Sequence, residues 1–482
     1  MKHVIFLILI VLTFVGLSIG SALKESLTFD EIVHMQEGKN HWMSHSFSID
    51  TNNPPLVREL AAIPLVFGAD KLSARLVVVL LGALLIVFVY KREPLAAFIL
   101  ALEPTYLAHS HYVTLDVGAA FFIFLAYLVF LEFTKKQSLR NVIFLGISTG
   151  FAFAARIQAI PFLLISMLFI NLRALTKLLI VSFIISFLTI WFTYFFTTDV
   201  IIKERLDPNR VSARILKSSN NMLLKNLIFV GSYQPIPLGN YLATVKNALV
   251  RSTQHIDHRW QDLPFNFFLK TPIPFLLLLG YGLIRKPKKI FVIPAAVIFI
   301  VTAFAPQEPW VRYLLPAYPF LAIIAGSAIR EVKGNFGKVG MTLIILWYVG
   351  GTLAQFPHFI SYANELAGPR NRRFEKLIDS NLDWGQGLPD FANYVHQQNP
   401  AHVSFSYFGR DNADTYGLVS NKPYGSYKNE EICEFHEIPY RGSGDRIVAI
   451  SATNWYQCGY YQQPQFQREK IRAVIADSIL IF

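Results

Sequence analysis

Charge is what this chain has least of. Only 16% of its 482 residues are Asp, Glu, Lys or Arg, where a soluble domain carries about 25%. Hydrophobic residues make up 53%, and mean hydropathy is +0.40. The shortage is uneven: apolar runs of spanning length recur from residue 3 to residue 355 and then stop. A wholly water-soluble globule is thereby excluded, and the pattern reads as a membrane domain, residues 1–355, followed by an α/β domain, residues 356–482, long enough to fold alone. Cysteine is nearly absent. Cys433 and Cys458 both lie in the second domain, which rules out a disulfide-dense scaffold and leaves two readings open: two free thiols, or one disulfide if that domain faces an oxidising compartment. No low-complexity segment appears, nor any internal repeat of the sort many transporters carry.

What is present is a surplus of positive charge, +12 in all. The Lys and Arg stand in short clusters between apolar runs. That is the signature of membrane orientation rather than of nucleic-acid binding, so no nucleic-acid partner is expected. Length and hydropathy predict about eleven transmembrane helices, near 3–20, 73–90, 94–108, 117–133, 141–155, 159–172, 177–196, 267–284, 290–305, 313–329 and 338–355. Residues 141–172 also read as one long helix broken at Arg156 and Pro161. The first run has an alternative reading as a cleaved signal peptide, with small residues at Ser18, Gly20 and Ala22; the many later spans favour a retained helix. With eleven crossings, the loops holding Lys91 and Arg92, Lys135, Lys136 and Arg140, Arg173 and Lys177, Arg285 to Lys289, and Arg330, Lys333 and Lys338 share one side. The positive-inside rule makes that side cytoplasmic. A multi-pass protein of the cell membrane follows, with its N-terminus cytoplasmic and its C-terminal domain extracytoplasmic.

The opposite loops differ in kind. Residues 21–72 and 197–266 are long and mixed in charge, and such loops on one face usually build a site over a scaffold. Thr28-Phe29-Asp30-Glu31-Ile32-Val33-His34 directly follows the first helix. Adjacent carboxylates at a water boundary either cap a helix or serve as a base or cation holder. Asp116 ends a second outer loop, starting at His109, at the same expected depth; it too has a reading as a helix cap. His34, His109 and His111 beside these acids are residue types that bind divalent metal, but they lack ligand spacing and no cofactor is assigned. Four cations, Arg58, Arg156, Lys270 and Arg312, fall at the same outer level. Arg156 interrupts an apolar stretch, which is costly unless it faces a cavity or a partner or snorkels at a helix end; a phosphate would suit its fork geometry.

These residues resemble the protein O-mannosyltransferase family, lipid-carrier-dependent glycosyltransferases of the GT-C fold, in its bacterial form. Phe29-Asp30-Glu31 with His34 and Gly38, then Asn53-Pro54-Pro55-Leu56, is similar to that family's first outer loop. Glu103-Pro104, Ala108-His109-Ser110 and Thr114-Leu115-Asp116 resemble its second. Phe268-Leu269-Lys270-Thr271-Pro272-Ile273-Pro274 looks like the segment that re-enters the membrane, and Arg312-Tyr313-Leu314-Leu315-Pro316 like another shared stretch. The most specific match is Asp379-Ser380-Asn381-Leu382-Asp383-Trp384-Gly385-Gln386, similar to a tail signature of bacterial members. Asn53 departs from the Lys of the related aminoarabinose transferases, which argues against that sugar.

The resemblance implies that a sugar moves from a polyprenyl-phosphate carrier to a hydroxyl of a protein, lipid or glycan acceptor, with inversion. In that role Asp30 would activate the acceptor, Glu31 would support it, and Asp116 would lie near the sugar. Arg58, Arg156, Lys270, Arg312, His34 and His109 would meet substrate, and membrane lipids would surround the helices. The competing expectation is a lipid or sugar-lipid transporter without chemistry. Transporters place ionisable groups near mid-membrane, whereas these acids are expected at the helix ends.

Overall fold

The computed structural model describes residues 1–47, 52–170, 177–203, 221–252, 261–285, 287–305, 308–420, 432–440 and 442–482. Its first part is helical: α1 (Lys2–Ala22), α2 (Glu31–Ser44), α3 (Leu56–Val66), α4 (Lys71–Tyr90), α5 (Pro94–Ala101), α6 (Pro104–His109), α7 (Asp116–Lys135), α8 (Leu139–Ala155), α9 (Ala159–Ile170) and α10 (Lys177–Thr193). The second long loop holds a two-residue ribbon, β1 (Thr198–Asp199) with β2 (Ile236–Pro237), and helices α11 (Met222–Tyr233) and α12 (Gly239–Ser252). Then come α13 (Asp262–Lys270), α14 (Ile273–Ile284), α15 (Lys289–Phe304), α16 (Tyr318–Ile329), entered through a 3-10 turn at Val311–Ala317, and α17 (Asn335–Leu353).

Each of the eleven apolar runs forms helix over most of its described part, but the runs differ in kind. Among the described residues five helices are long and apolar enough to cross a membrane, or six if α13 and α14 count as one bent span. Four more apolar helices are shorter. The run at 94–108 is not one helix: α5 stops at Leu102, and Glu103 starts α6 by accepting a bond from the Tyr106 N–H at 2.6 Å. Pro104 disfavours helical geometry at the residue before it, which explains the break. The run at 267–284 turns by 112° between α13 and α14. In the 141–172 stretch α8 ends at Ala155, Arg156 is extended, and α9 begins afresh at Ala159.

α7 packs against α4 and α8 at the centre of the bundle. α8 meets α10 closely, because Gly146 and Gly150 lie four residues apart: a Cβ on Gly146 would come within 2.7 Å of the Ser182 carbonyl and one on Gly150 within 2.9 Å of the Ser186 carbonyl. Without a hydrophobic drive between helices in lipid, such close backbone approach is how they associate.

The two ends of the bundle differ chemically. At one end Arg92 pairs with Glu132 at 3.4 Å, Arg330 with Glu93 at 2.8 Å and Arg285 with Glu331 at 3.0 Å. Exposed pairs of this kind stabilise little, yet they show that four of the basic loops share one end. The start of α1 is there too, since Tyr90 donates to the His3 carbonyl.

The opposite end carries the C-terminal domain. Its five-stranded sheet has the order β4-β3-β5-β7-β6, from β3 (His402–Ser406), β4 (His436–Pro439), β5 (Ile447–Ser451), β6 (Ala473–Ile475) and β7 (Ile479–Ile481). β3 and β5 run parallel and the other pairs antiparallel. Alternation along the strands gives the sheet two buried faces. Ile447, Ala449, Ile479 and Ile481 pack under α18 (Leu388–Gln398). Ile450 and Leu480 face Phe374, Leu377, Leu382 and Trp455, the last on α19 (Ala452–Gln457), and Leu269 of α13 joins that second layer. Three tail elements expected from sequence are present with shifted bounds: the helix expected at 384–397 is α18, and the strands at 402–408 and 446–452 are β3 and β5. The expected last strand at 473–482 is instead a hairpin, turning at Ala476 and Asp477, both with positive φ. β4 was not expected. Cys433 and Cys458 are bonded to each other.

If the basic end is cytoplasmic, a reporter active only outside the cytoplasm and fused after residue 360 will be active. Activity from a reporter that works only in the cytoplasm, fused at the same point, would reverse the orientation.

Candidate functional site at the acidic end

The loop after α1 is anchored by a charge that sequence reasoning passed over. Arg75 lies one turn into α4 and is 1% exposed. It forks onto Glu31, Nε to Oε1 at 2.9 Å and Nη2 to Oε2 at 2.7 Å, and donates to the carbonyls of Ala22, Glu25 and Ser26. Glu31 also accepts from the N–H groups of Thr28 and Val113. One buried ion pair therefore ties the end of α1, the start of α2, the head of α4 and the loop before α7 together. Gly38 brings α2 onto α3, since any Cβ there would lie 2.2 Å from the Arg58 carbonyl.

A second joint centres on Glu25, fully buried beside His111 Nε2 at 2.8 Å, the Tyr112 hydroxyl at 2.6 Å and His358 Nδ1 at 2.9 Å. Burial opposes the charge on Glu25, but its bonds to His111 and His358 hold the carboxyl down to about 2. Burial likewise opposes the His358 cation, yet Asp390 and Glu25 lift its pKa to about 10. His111 has its other nitrogen on the Leu107 carbonyl. Among the described residues no three His, Cys, Asp or Glu side chains gather to share a metal ion.

Asp30 occupies the N-cap position of α2, but its side chain caps nothing. It reaches across to Arg312 Nη1 at 3.0 Å, with Asp30 32% and Arg312 12% exposed. Asp116, the first residue of α7, does not cap either; it pairs with Arg156 at the end of α8. The two arginines share Tyr313: its ring centroid lies 4.8 Å from the Arg156 guanidinium carbon and 5.2 Å from that of Arg312. Two acids and two cations from four sequence-distant segments thus form one cluster, with Asp30 its most exposed member.

The tail closes this cluster. Trp384, 1% exposed, lies 4.3 Å beneath the Arg312 guanidinium, a cation–π contact. Its carbonyl accepts from the Phe29 N–H at 2.9 Å, next to Asp30. Asn381 accepts from the Val311 N–H at 3.0 Å, next to Arg312. Phe408 stacks on Phe29 at 4.9 Å, and Arg410 covers the Phe29 ring at 3.7 Å. The segment 379–386, read from sequence as a tail signature, holds both the acid-bearing and the cation-bearing loops. Half-buried Asp379 adjoins Arg312 and Asp30; burial lifts its carboxyl to about 6 against the pull of Arg312. Its φ of 52° is the left-handed region a non-glycine residue seldom occupies, a conformation that clusters at functional sites. Arg312 Nε is buried with no hydrogen-bond partner among the described residues.

Of the other expected site residues, Arg58, His34 and Lys270 lie apart from this cluster, while His109 borders it. Arg58, 1% exposed, sits on α3 beside Glu59, in the neighbourhood of the His41 bridge between Glu37 at 3.5 Å and Glu59 at 3.2 Å. His34 is buried on α2. Lys270, 2% exposed, donates to the Ile360 carbonyl at 2.6 Å, and Asn364 binds the carbonyls of Phe268 and Thr271, so both hold the bend between α13 and α14. His109 stands edge-on to Trp384 at 5.7 Å, and burial pushes its pKa down to about 3.

The residues missed were Glu25, Arg75, His358, Asp383 and the individual role of Trp384. Arg75 carried a usable signal, a charge inside an apolar run; the others are joined only by tertiary contact.

Glu31→Gln leaves Arg75 buried without a counter-charge, so it should lower stability by on the order of 3 kcal/mol. Thermal unfolding in detergent reads this, and an unchanged melting temperature would remove the anchor. Asp383, 1% exposed, accepts from the N–H groups of Thr453 and Gly385, yet burial lifts its carboxyl to about 7. A raised folded pKa gives stability that is complete below the unfolded value of 3.8 and is lost as pH rises through 7. Relative to Asp383→Asn, the wild type should lose melting temperature across that window; parallel curves would contradict it.

No family model and no curated protein matches the chain. Among solved structures it is similar to ArnT from Cupriavidus metallidurans in the apo state, at 14% identity over 99% of this chain and 97% of that one, with a TM-score of 0.49. It is similar to the same protein bound to undecaprenyl phosphate, at 13% identity over 99% and 97%, with a TM-score of 0.46. The archaeal oligosaccharyltransferase AglB from Archaeoglobus fulgidus, solved with an inhibitory peptide and a dolichol-phosphate, is similar at 14% identity over 96% of this chain and 71% of that one, with a TM-score of 0.48.

Proposed function

We propose that the chain is a membrane glycosyltransferase that moves a sugar from a polyprenyl-phosphate carrier to an acceptor hydroxyl on the outer face. The observation that carries this reading is the Asp30–Arg312 pair. A carboxylate 32% exposed is held by a guanidinium that is itself 12% exposed, clamped by the tail, and left with a free Nε. One arginine can then orient a base and meet a phosphate at once, because its five N–H groups form a fork. The Asp116–Arg156 pair beside it offers a second cation.

In the reaction, Asp30 takes the proton of the acceptor hydroxyl and the oxygen attacks the anomeric carbon. The bond from that carbon to the phosphate oxygen breaks, and the electron pair leaves with the lipid phosphate. Arg312 or Arg156 stabilises the charge that grows there. A single displacement inverts the anomeric centre. The sugar is a hexose or a pentose, and the disulfide in the tail supports an oxidising compartment.

The transporter reading has one observation in its favour. Glu103, 0% exposed, and Lys270, 2% exposed, are buried inside apolar segments. Both are held by backbone, Glu103 by the nearby Tyr106 N–H and Lys270 by the sequence-distant Ile360 carbonyl, which suits a fixed support better than a moving carrier.

Asp30→Asn keeps size and most hydrogen bonding but accepts no proton. It should fold normally and lower turnover roughly a hundredfold or more, the scale of general-base catalysis. Wild-type transfer by purified Asp30→Asn would move the base elsewhere, with Asp116 the first replacement.

A further inference from the structure

The second domain carries an uncharged aromatic ledge that the site at Asp30 does not use. Residues 452–467 contain no Asp, Glu, Lys, Arg or His, although the chain as a whole carries +12. They hold Trp455, Tyr456, Tyr460, Tyr461 and Phe466, interleaved with glutamines. Tyr456 and Tyr461 are 53% and 39% exposed. Their rings stack on each other, 5.5 Å apart with an interplanar angle of 11°, and Tyr461 leans on Trp455 at 5.7 Å.

The surroundings hold these exposed rings in place. Trp455 is 8% exposed and donates its indole N–H to the Phe466 carbonyl at 2.7 Å. Tyr460, also 8% exposed, donates to the Cys433 carbonyl and packs on Phe435 and Phe466. The Cys433–Cys458 bond ties the same turn to the neighbouring segment. Gln462 Nε2 donates to the Tyr461 hydroxyl at 2.9 Å, and Gln465 Nε2 to Gln463 Oε1 at 2.9 Å. Gln457, Gln462, Gln465 and Gln467 are exposed.

We infer that this ledge is a binding site for a neutral glycan. Exposed rigid tyrosines present flat apolar faces at little entropic cost, and such faces fit the C–H side of a pyranose. Amide side chains both donate and accept, as sugar hydroxyls do. Residues 452–467 carry no charge of their own, although Arg468 follows them directly and Glu434 lies near Tyr460, so the tyrosine faces and the amides rather than an ion pair set what the ledge binds. Use of the ledge to hold an acceptor rests on the transferase reading; glycan binding itself does not.

The test is saturation-transfer NMR on the full chain in nanodiscs. The probes are mannotetraose, cellotetraose and, as the charged control, tetragalacturonate. Transfer to the ring protons of a neutral tetrasaccharide is expected, and Tyr456→Ala with Tyr461→Ala should weaken binding roughly tenfold or more. The paired Phe variants should retain binding. Melting temperature and the intact disulfide confirm that the Ala variant is folded. Absence of transfer to both neutral probes, equal transfer in the folded Ala variant, or preference for the charged probe overturns the assignment. So does loss of contact with phosphatidylethanolamine vesicles on the same substitutions, which would make the ledge a membrane rest. Asp30→Asn should bind the neutral probe as the wild type does. Glycan binding in a protein that transfers no sugar would sink the transferase reading and leave the ledge standing.

Discussion

Arg75 and Glu31 are 1% and 0% exposed and meet through two parallel bonds, so neither can change partner without leaving the other a bare charge in an apolar surround. Around that pair the end of α1, the start of α2, the head of α4 and the loop before α7 are fixed together. Asp30 precedes Glu31 and inherits its place from it. With Glu31 turned inward onto Arg75, the Asp30 side chain is left to face Arg312. The two neighbouring acids thus differ in setting: one is buried and holds the loop, the other is 32% exposed and paired with Arg312.

The tail belongs to the same assembly. Trp384 and Phe408 pack into the hydrophobic cluster of the helical bundle rather than into the core under their own sheet. Trp384 presses on Arg312 from one side while its backbone holds Phe29 on the other. Glu25 and His358 add a second connection, both deeply buried. With so few charged residues in the chain, each one inside needs a partner, and most partners at this end come from distant segments. That makes the acidic end a junction of the two domains, and it makes the rigidity of the Asp30–Arg312 pair a property of both.

Much of this was legible in the sequence, and the reasons are physical. Apolar length and hydropathy marked the eleven apolar runs but not the more polar helices α2, α3, α11 and α12 inside the two long loops, and the basic clusters marked one end of the bundle, because hydropathy and charge act locally. Asp30, Asp116, Arg156 and Arg312 could be named as residues at one depth. Who pairs with whom could not, since Arg312 lies far along the chain from Asp30 and only folding brings them to 3.0 Å. Pro104 foretold the break at Glu103, but the run at 94–108 was read as continuous on hydropathy alone. For Lys270 the sequence suggested depth but not partner: the structure has it donating to Ile360 at the bend between α13 and α14. The hairpin at the end of the tail was hidden because Ala476 and Asp477 adopt positive φ without a glycine to announce it.

We propose that a lipid phosphate and a base meet at the junction of the two domains. The most direct measurement is an experimental structure of the full chain in nanodiscs with a polyprenyl-phosphate sugar bound to Asp30→Asn. The account predicts phosphate density within ion-pair distance of Arg312 or Arg156, and the sugar beside residue 30. Density for the phosphate at the basic end of the bundle, or in a groove remote from both arginines, would contradict it.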